Sequence, residues 1–344
     1  MARVTLTDVS RTAGVSIATA SRALSPREHP DVSRETRERL RAVADELGYR
    51  PSLAARAFRR RDFHAVSIVV PDGQWGWWEP AVRAAYGAAR AQGCNAFVQP
   101  TTALRDDSGD VADVIAALAE VPTEGVLLFG SAADSRMLAS AETLRLPVVA
   151  IDNAADEVVV PTFAADSRRG VQLAVEHLLD LGRRRIAYVG SDGDLLFQRE
   201  RRESHRSTLV AAGITADPEL VVQDLSADDP AVDVLPAVEA LLASDASVDA
   251  VLCESDAVAA SVLRSLRRAG RRVPEDVSVV GFDDSPLALA LDPPLTTVHQ
   301  PYEQLGLDAI ELLLQQIDGA QAPVGRTRLA PTLTVRASTR RAPQ

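Results

Sequence analysis

The segment VTLTDVSRTAGVSIATASRAL, Val4 to Leu24, constrains this chain more than any other. Thr5 followed by Asp8 is a capping-box pattern that starts a helix. Leu6, Val9 and Ala13 put an apolar stripe on one face of that helix. Gly14 supplies the left-handed conformation that a tight inter-helix turn needs, which a residue with a Cβ adopts at a cost. Ser16 is placed to cap a second helix from Ile17 to Leu24. Two short helices at this spacing lay the second in a DNA major groove, with its N-terminal residues at the base edges. A generic helical hairpin meets the same pattern, so the rest of the chain has to decide.

Charge is the first independent check. The 344 residues carry a net charge of −11, yet residues 1–61 hold 13 Arg against 7 Asp and Glu. The remaining residues hold 24 Arg against 41 acids. A basic N-terminal module on an acidic body is the electrostatic footprint of a protein that meets phosphate with one end only. Every basic residue is Arg, which with the heavy use of Ala points to a GC-rich genome and gives the choice of Arg little weight at any one position. Cys94 and Cys253 are far apart in sequence and form neither a disulfide framework nor a zinc spacing. Residues 1–20 lack a basic-then-apolar signal, and no run of 18 apolar residues occurs. The expectation is a soluble, cytoplasmic protein without membrane contact.

A third helix, about Ser33 to Leu47, has Leu40, Val43, Ala44 and Leu47 at helical spacing, with Gly48 just past its end. Pro51 to Phe58 favours helix but is too short to be stable alone in water. From Ala65 onward, apolar runs alternate with amphipathic stretches. The runs are VSIVV (66–70), NAFVQ (95–99), GVLLF (125–129), PVVAI (147–151), RIAYV (185–189), VDAVLC (248–253) and VSVVGF (277–282). Strands buried on both faces read as continuous runs of this kind, so parallel doubly wound sheets are expected. Their number exceeds one comfortable sheet, and two lobes with a cleft between them follow.

Together with VSRETRERLRAVADELGYRPSLAARAFRR and VPEDVSVVGFDDSPLALALDPPLTTVHQP, the opening segment resembles the LacI/GalR family of bacterial transcription regulators over essentially the whole chain. The resemblance implies a small all-α helix-turn-helix headpiece at 1–50 and a hinge helix and linker at 51–61. It further implies an α/β two-lobed effector-binding and dimerisation domain at 62–340, of the type I periplasmic-binding-protein kind with parallel doubly wound sheets. The chain is expected to cross between lobes near 161–164, 285–292 and 318–328. Lobe 1 would then span about 62–161 and 292–320, and lobe 2 about 163–288 and 325–340.

The same resemblance assigns residues. Ile17, Ala18 and Arg22 take base-reading positions, Arg22 alone having the donors to bind guanine O6 and N7 in pairs. Ser16, Thr19 and Ser21 are placed for phosphates, which fix register. Ala55 and Phe58 fall at the minor-groove hinge, Phe58 standing where the family usually has a wedging Leu. Asp152, Arg201, Ser255, Asp283 and Gln300 match effector-binding positions, a donor and acceptor set suited to a polyhydroxylated ligand. Ser255 stands where an Asn is common. Trp77 and Trp78, in GQWGWW (73–78), replace a Phe pair at the cleft mouth, where aromatic faces suit the C–H faces of sugar rings. Asp256 and Asp284 read as helix N-caps.

No phosphate-binding, dinucleotide or nucleophile-elbow motif is present, and the five His show no metal-ligand spacing, so neither an enzyme nor a bound cofactor is expected. A transport binding protein would need a secretory signal and no headpiece. A general nucleoid protein fits the acidic body poorly. After a last strand at about Arg328 to Val335 there is no leucine heptad to build a tetramer. The expectation is therefore a homodimeric repressor of a pseudo-palindromic double-stranded operator, controlled by a saccharide effector.

Overall fold

The computed structural model describes residues 4–24, 31–49, 64–71, 78–101, 123–129, 146–151, 156–191, 193–222, 230–244 and 247–340. The chain divides into two units, Met1–His64 and Ala65–Gln344.

In the first unit, α1 (Leu6–Thr12), α2 (Ile17–Ala23) and α3 (Arg34–Glu46) each begin on a side-chain cap. Thr5 and Asp8 form the reciprocal box, with the Thr5 amide donating to Asp8 Oδ2 at 2.9 Å. Ser16 accepts from the Thr19 amide at 3.1 Å and Ser33 from the Thr36 amide at 3.2 Å. These bonds satisfy amides that a helix start otherwise leaves without partners. Gly14 has φ +67° and turns α1 into α2. Val9, Ala20, Ala23, Leu40 and Ala44 close into one small core.

Among the described residues, the second unit holds two six-stranded sheets. The first runs β11–β5–β4–β3–β1–β2, from β1 (Ala65–Pro71), β2 (Asn95–Thr101), β3 (Gly125–Phe129), β4 (Val148–Ile151), β5 (Pro161–Ala165) and β11 (Gly325–Leu329). All its pairings are parallel. The second runs β12–β10–β9–β8–β6–β7, from β6 (Ile186–Val189), β7 (Val221–Val222), β8 (Ala250–Cys253), β9 (Ser278–Asp283), β10 (Thr296–His299) and β12 (Thr332–Thr334). Only β12 on β10 is antiparallel among its described pairings. The continuous apolar runs have a direct cause. In β8, Val251 and Cys253 enter the core on one face of the sheet, while Ala250 and Leu252 enter the core on the other.

Helices cover these sheets: α4 (Glu79–Ala91), α5 (Ser167–Asp180), α6 (Leu196–Ala211), α7 (Pro230–Ser244), α8 (Asp256–Arg268), α9 (Pro286–Ala290) and α10 (Tyr302–Ile317). The lobe crossings differ from those expected. β5 is a strand of the first sheet and the chain leaves it at Asp166, the N-cap of α5. The second crossing lies at Gln300–Pro301 rather than 285–292, because β10 still belongs to the second sheet while α10 packs on the first. Pro293 and Pro294 lie in the turn that feeds β10. The third crossing lies at Ala330–Pro331, so the single last strand expected is two strands in different sheets. GRTRL at 325–329 carries no apolar run, as suits an edge strand, and therefore passed for a linker.

α10 approaches α4 closely at Gly306, where an added Cβ would sit 2.2 Å from the Ala81 carbonyl oxygen. Backbone cannot yield as a flexible side chain does. Gly306→Ala is expected to cost about 1–3 kcal/mol, read as a lower urea midpoint at unchanged slope. A wild-type midpoint would show that the helices stand further apart.

Candidate functional site

Two surfaces carry the residues singled out above. On α2, Ala20 and Ala23 face the core, which turns Ile17, Ala18 and Arg22 to solvent. Ile17 is 46 % exposed, an unusual position for an isoleucine with a core at hand. Thr19 is tied to Ser16 hydroxyl-to-hydroxyl at 2.9 Å, and Ser21 is half-buried. Arg22 reaches Asp31 at 3.5 Å with both side chains more than half exposed. A surface pair of this kind contributes about 0–1 kcal/mol, so the guanidinium leaves it at little cost. Ala55 and Phe58 lie outside the described residues.

In the second unit, Ser255, Asp283 and Gln300, of the residues expected at the ligand site, lie at the carboxyl ends of β8, β9 and β10, where open parallel sheets bind ligands. A cavity of about 380 Å³ is bounded there by Asp283, Ser285, His299, Gln300, Tyr302 and Leu307. Asp283 and Asp284 hold φ of +112° and +55°, a strained pair at the turn that presents the Asp283 carboxyl. Its Oδ1 accepts from Gln300 Nε2 at 2.6 Å and from the Tyr302 hydroxyl at 3.2 Å. Gln300 Nε2 also donates to the Tyr302 oxygen, and Gln300 Oε1 is buried without a hydrogen-bond partner. Burial pushes the Asp283 carboxyl up to about 7; the nearby charge of Arg201 opposes the rise and that of Asp256 adds to it.

Arg201 projects from α6, and its guanidinium carbon sits 3.6 Å from the Phe282 ring centroid and 5.0 Å from that of Phe197. Nη1 donates to the Glu254 carbonyl at 2.6 Å, while Nε is buried without a partner. Buried polar groups left open in this way call for a ligand or water. The Glu254 side chain accepts from the Ser191 amide and hydroxyl at 3.1 and 2.8 Å, which fixes the loop opening into α6.

Other residues stand differently from the sequence reading. Ser255 caps α8, its hydroxyl accepting from the Val258 amide at 3.2 Å. Asp256 is therefore not the cap. It is buried, and its carboxylate accepts from Thr297 at 2.6 Å and from the Ser285 amide and hydroxyl at 2.7 and 2.9 Å. Asp284 caps nothing either, pairing instead with Arg336 at 2.6 Å and His299 at 3.0 Å. Trp78 precedes α4 and packs on the first sheet's core, 6.2 Å between ring centroids from Phe129 at the carboxyl end of β3. Trp77 and Asp152 lie outside the described residues. Tyr302 joins the site although nothing in its local sequence singles it out.

Comparison with known proteins places this arrangement. Residues 5–52 match the model described as bacterial regulatory proteins, lacI family, and residues 175–339 match a periplasmic binding protein-like domain. The HTH-type transcriptional regulator MalR of Streptomyces coelicolor is 32 % identical over 98 % of this chain and 97 % of its own length. The chain belongs to the LacI family. Like other LacI-family members it is a transcription regulator and not an enzyme. A lac repressor dimer bound to operator and the anti-inducer ONPF superposes with TM-score 0.84 at 25 % identity, covering 98 % of this chain and all of that one. A complex of the regulator CelR with cellobiose superposes with TM-score 0.69 at 30 % identity and the same coverage. No helix among the described residues is long and apolar enough to cross a membrane.

The Asp283 carboxyl makes the stability of this LacI-family chain pH-dependent. Its ordinary value is 3.8 and its folded value about 7, so between the two the folded state holds the extra proton. The stability gained in this way is complete below the lower value and is lost as pH rises to the upper one. Asp283→Asn is expected to flatten the fall of the urea midpoint across that window. An unchanged slope would mean that the carboxyl titrates where an exposed one does.

Proposed function

We propose that this protein is a cytoplasmic repressor that binds a pseudo-palindromic operator as a homodimer and changes its operator affinity when a saccharide occupies the site between its lobes. The observation that carries the reading is the outer face of α2, where Ile17, Ala18 and Arg22 stand exposed on a helix anchored by its opposite face. Ile17 and Ala18 offer apolar contact of the kind a thymine methyl accepts, and Arg22 offers the paired donors that guanine takes. Ser16, Thr19 and Ser21 lie beside them with hydroxyls for phosphate. The headpiece of one subunit reads one half-site, so two subunits read a symmetric pair.

For the effector, a ligand with several hydroxyls in the cavity meets Gln300 Oε1 as an acceptor and the carboxyl of Asp283, while the buried Nε of Arg201, outside the cavity lining but near the Asp283 carboxyl, is a further open donor. The Phe282 and Phe197 rings hold Arg201 in place from behind. Asp152 and Trp77 complete the proposed set, with Trp78 near the carboxyl end of β3 and Ser255 contributing through the start of α8. The saccharide class is supported by the relatives, among them a regulator solved with cellobiose and a ribose operon repressor. Effector binding changes operator affinity through the relative angle of the lobes and the hinge at 51–61, including Ala55 and Phe58.

Selection of bound duplexes from random DNA is expected to return a palindrome with a G·C pair at one symmetric position per half-site. Arg22→Ala should cost about 1–3 kcal/mol at that pair; equal weakening on every sequence would reduce Arg22 to a phosphate contact. Against maltose, cellobiose, ribose and a nucleoside, a saccharide should shift operator affinity in the wild type. Asp283→Ala and Arg201→Ala should lose that shift and keep operator binding. A response to the nucleoside alone would overturn the saccharide assignment.

A further inference from the structure

Three successive residues of α6 point to different partners. Arg199 donates to Asp156, in the segment between β4 and β5. Glu200 receives Arg328 of β11 through two parallel bonds, 2.9 Å from Nη1 to Oε2 and 2.7 Å from Nη2 to Oε1. Arg201 lies at the proposed effector site. Arg168, in the first turn of α5, adds a third contact to Glu200 at 3.4 Å. The Glu200 side chain is only 6 % exposed and that of Arg328 31 %.

The positions of these partners matter more than their number. α6 packs on the second sheet through Leu209, whereas β11 is an edge strand of the first sheet. Arg328 stands one residue before the end of β11, just ahead of the third crossing between sheets. Arg168 stands just after the first crossing. Glu200 therefore joins the helix that carries Arg201 to both of these crossings. A paired guanidinium–carboxylate contact is specific in angle as well as distance. Rotation of one sheet against the other would break it and leave a buried carboxylate short of a partner, which is costly.

Building on the operator-binding reading above, we propose that Glu200 and Arg328 form a clamp that sets the angle between the two sheets and couples the effector site to operator affinity. Glu200 adjoins Arg201 on one rigid helix, so a ligand that draws on Arg201 also loads Glu200. The load passes to Arg328 and to β5, whose Ala164 lies in register with Arg328. Neither clamp residue touches effector or DNA; both act through position.

The test uses the full chain as Glu200→Gln, Arg328→Gln and the double variant, with Arg328→Lys as a variant that keeps the charge but loses the paired geometry. Amide exchange is followed at 161–165 and 325–329, and affinity is measured for the duplex the wild type selects from random DNA. Each single variant is expected to speed exchange in both strands about tenfold and to change operator affinity about fivefold or more. The double variant should go no further than the larger single, because partners in one contact are not additive. Arg328→Lys should fall between wild type and Arg328→Gln, and it carries the test if Glu200→Gln does not fold. Wild-type exchange in the single variants, or additive effects in the double, would overturn the clamp. Faster exchange with unchanged operator affinity would overturn the coupling. If no duplex is selected, the headpiece reading and the coupling fall together, while the exchange rates still decide whether the clamp exists.

Discussion

The buried carboxylate of Asp256 is the constraint on which the carboxyl end of the second sheet depends. It sits at the start of α8 and holds the turn before α9 through Ser285 and the neighbouring strand β10 through Thr297. Three strand ends are thereby fixed relative to one another, and the strained pair Asp283–Asp284 is held between them. Burial raises the Asp256 carboxyl above its ordinary value, the Thr297 and Ser285 bonds oppose that rise, and the nearby charge of Asp284 adds to it. Even Gly281 is part of the arrangement, since an added Cβ would meet Asp256 Oδ1 at 2.4 Å. With the turn so fixed, Asp283 can be desolvated and still be aimed at Gln300 and Tyr302.

Much of the fold was legible because its central strands are buried on both faces. β1, β3, β8 and β9 announce themselves as runs of Val, Ile, Leu and Phe, the first two headpiece helices by Thr5 and Ser16, and the third by the spacing of Leu40, Val43, Ala44 and Leu47. The strands that escaped notice are at or near sheet edges or are brief: PTFAA, the two-residue β7, TTVH and GRTRL. GRTRL and β7 are partly exposed, whereas PTFAA and TTVH are mostly buried but carry Pro, Thr and Ala in place of a run of large apolar residues, so no periodic apolar signal marks any of them. The lobe crossings went astray for the same reason, as β10 and β11 are the strands that define them.

The candidate site was legible only in part. Asp283 and Gln300 came from the family resemblance, and the structure places them in contact with each other. Tyr302 follows a proline and opens a helix, where an aromatic reads as core; its hydroxyl gives no local sign of a polar task. Asp256 and Asp284 look alike in sequence, each at a helix start, and each is instead committed to partners distant in the chain. Such long-range pairing leaves no periodicity to read. Glu200 is the extreme case, since RERRE has the composition of a solvated helix face and yet contains a buried carboxylate.

Burial separates the ion pairs of this chain into two kinds. Arg22 with Asp31 is exposed on both sides, so water replaces either partner at little cost and the guanidinium is free for another acceptor. Glu200 with Arg328 is the opposite: the carboxylate is out of water, and losing the paired contact leaves a desolvated charge with only the single, longer contact to Arg168. The first kind suits a surface that must exchange its partners when a nucleic acid arrives. The second suits a joint that must keep one geometry until a stronger load acts on it. The same chemical pair is thus readily exchanged on the headpiece surface and held in place where α6 meets β11, and solvent access decides which.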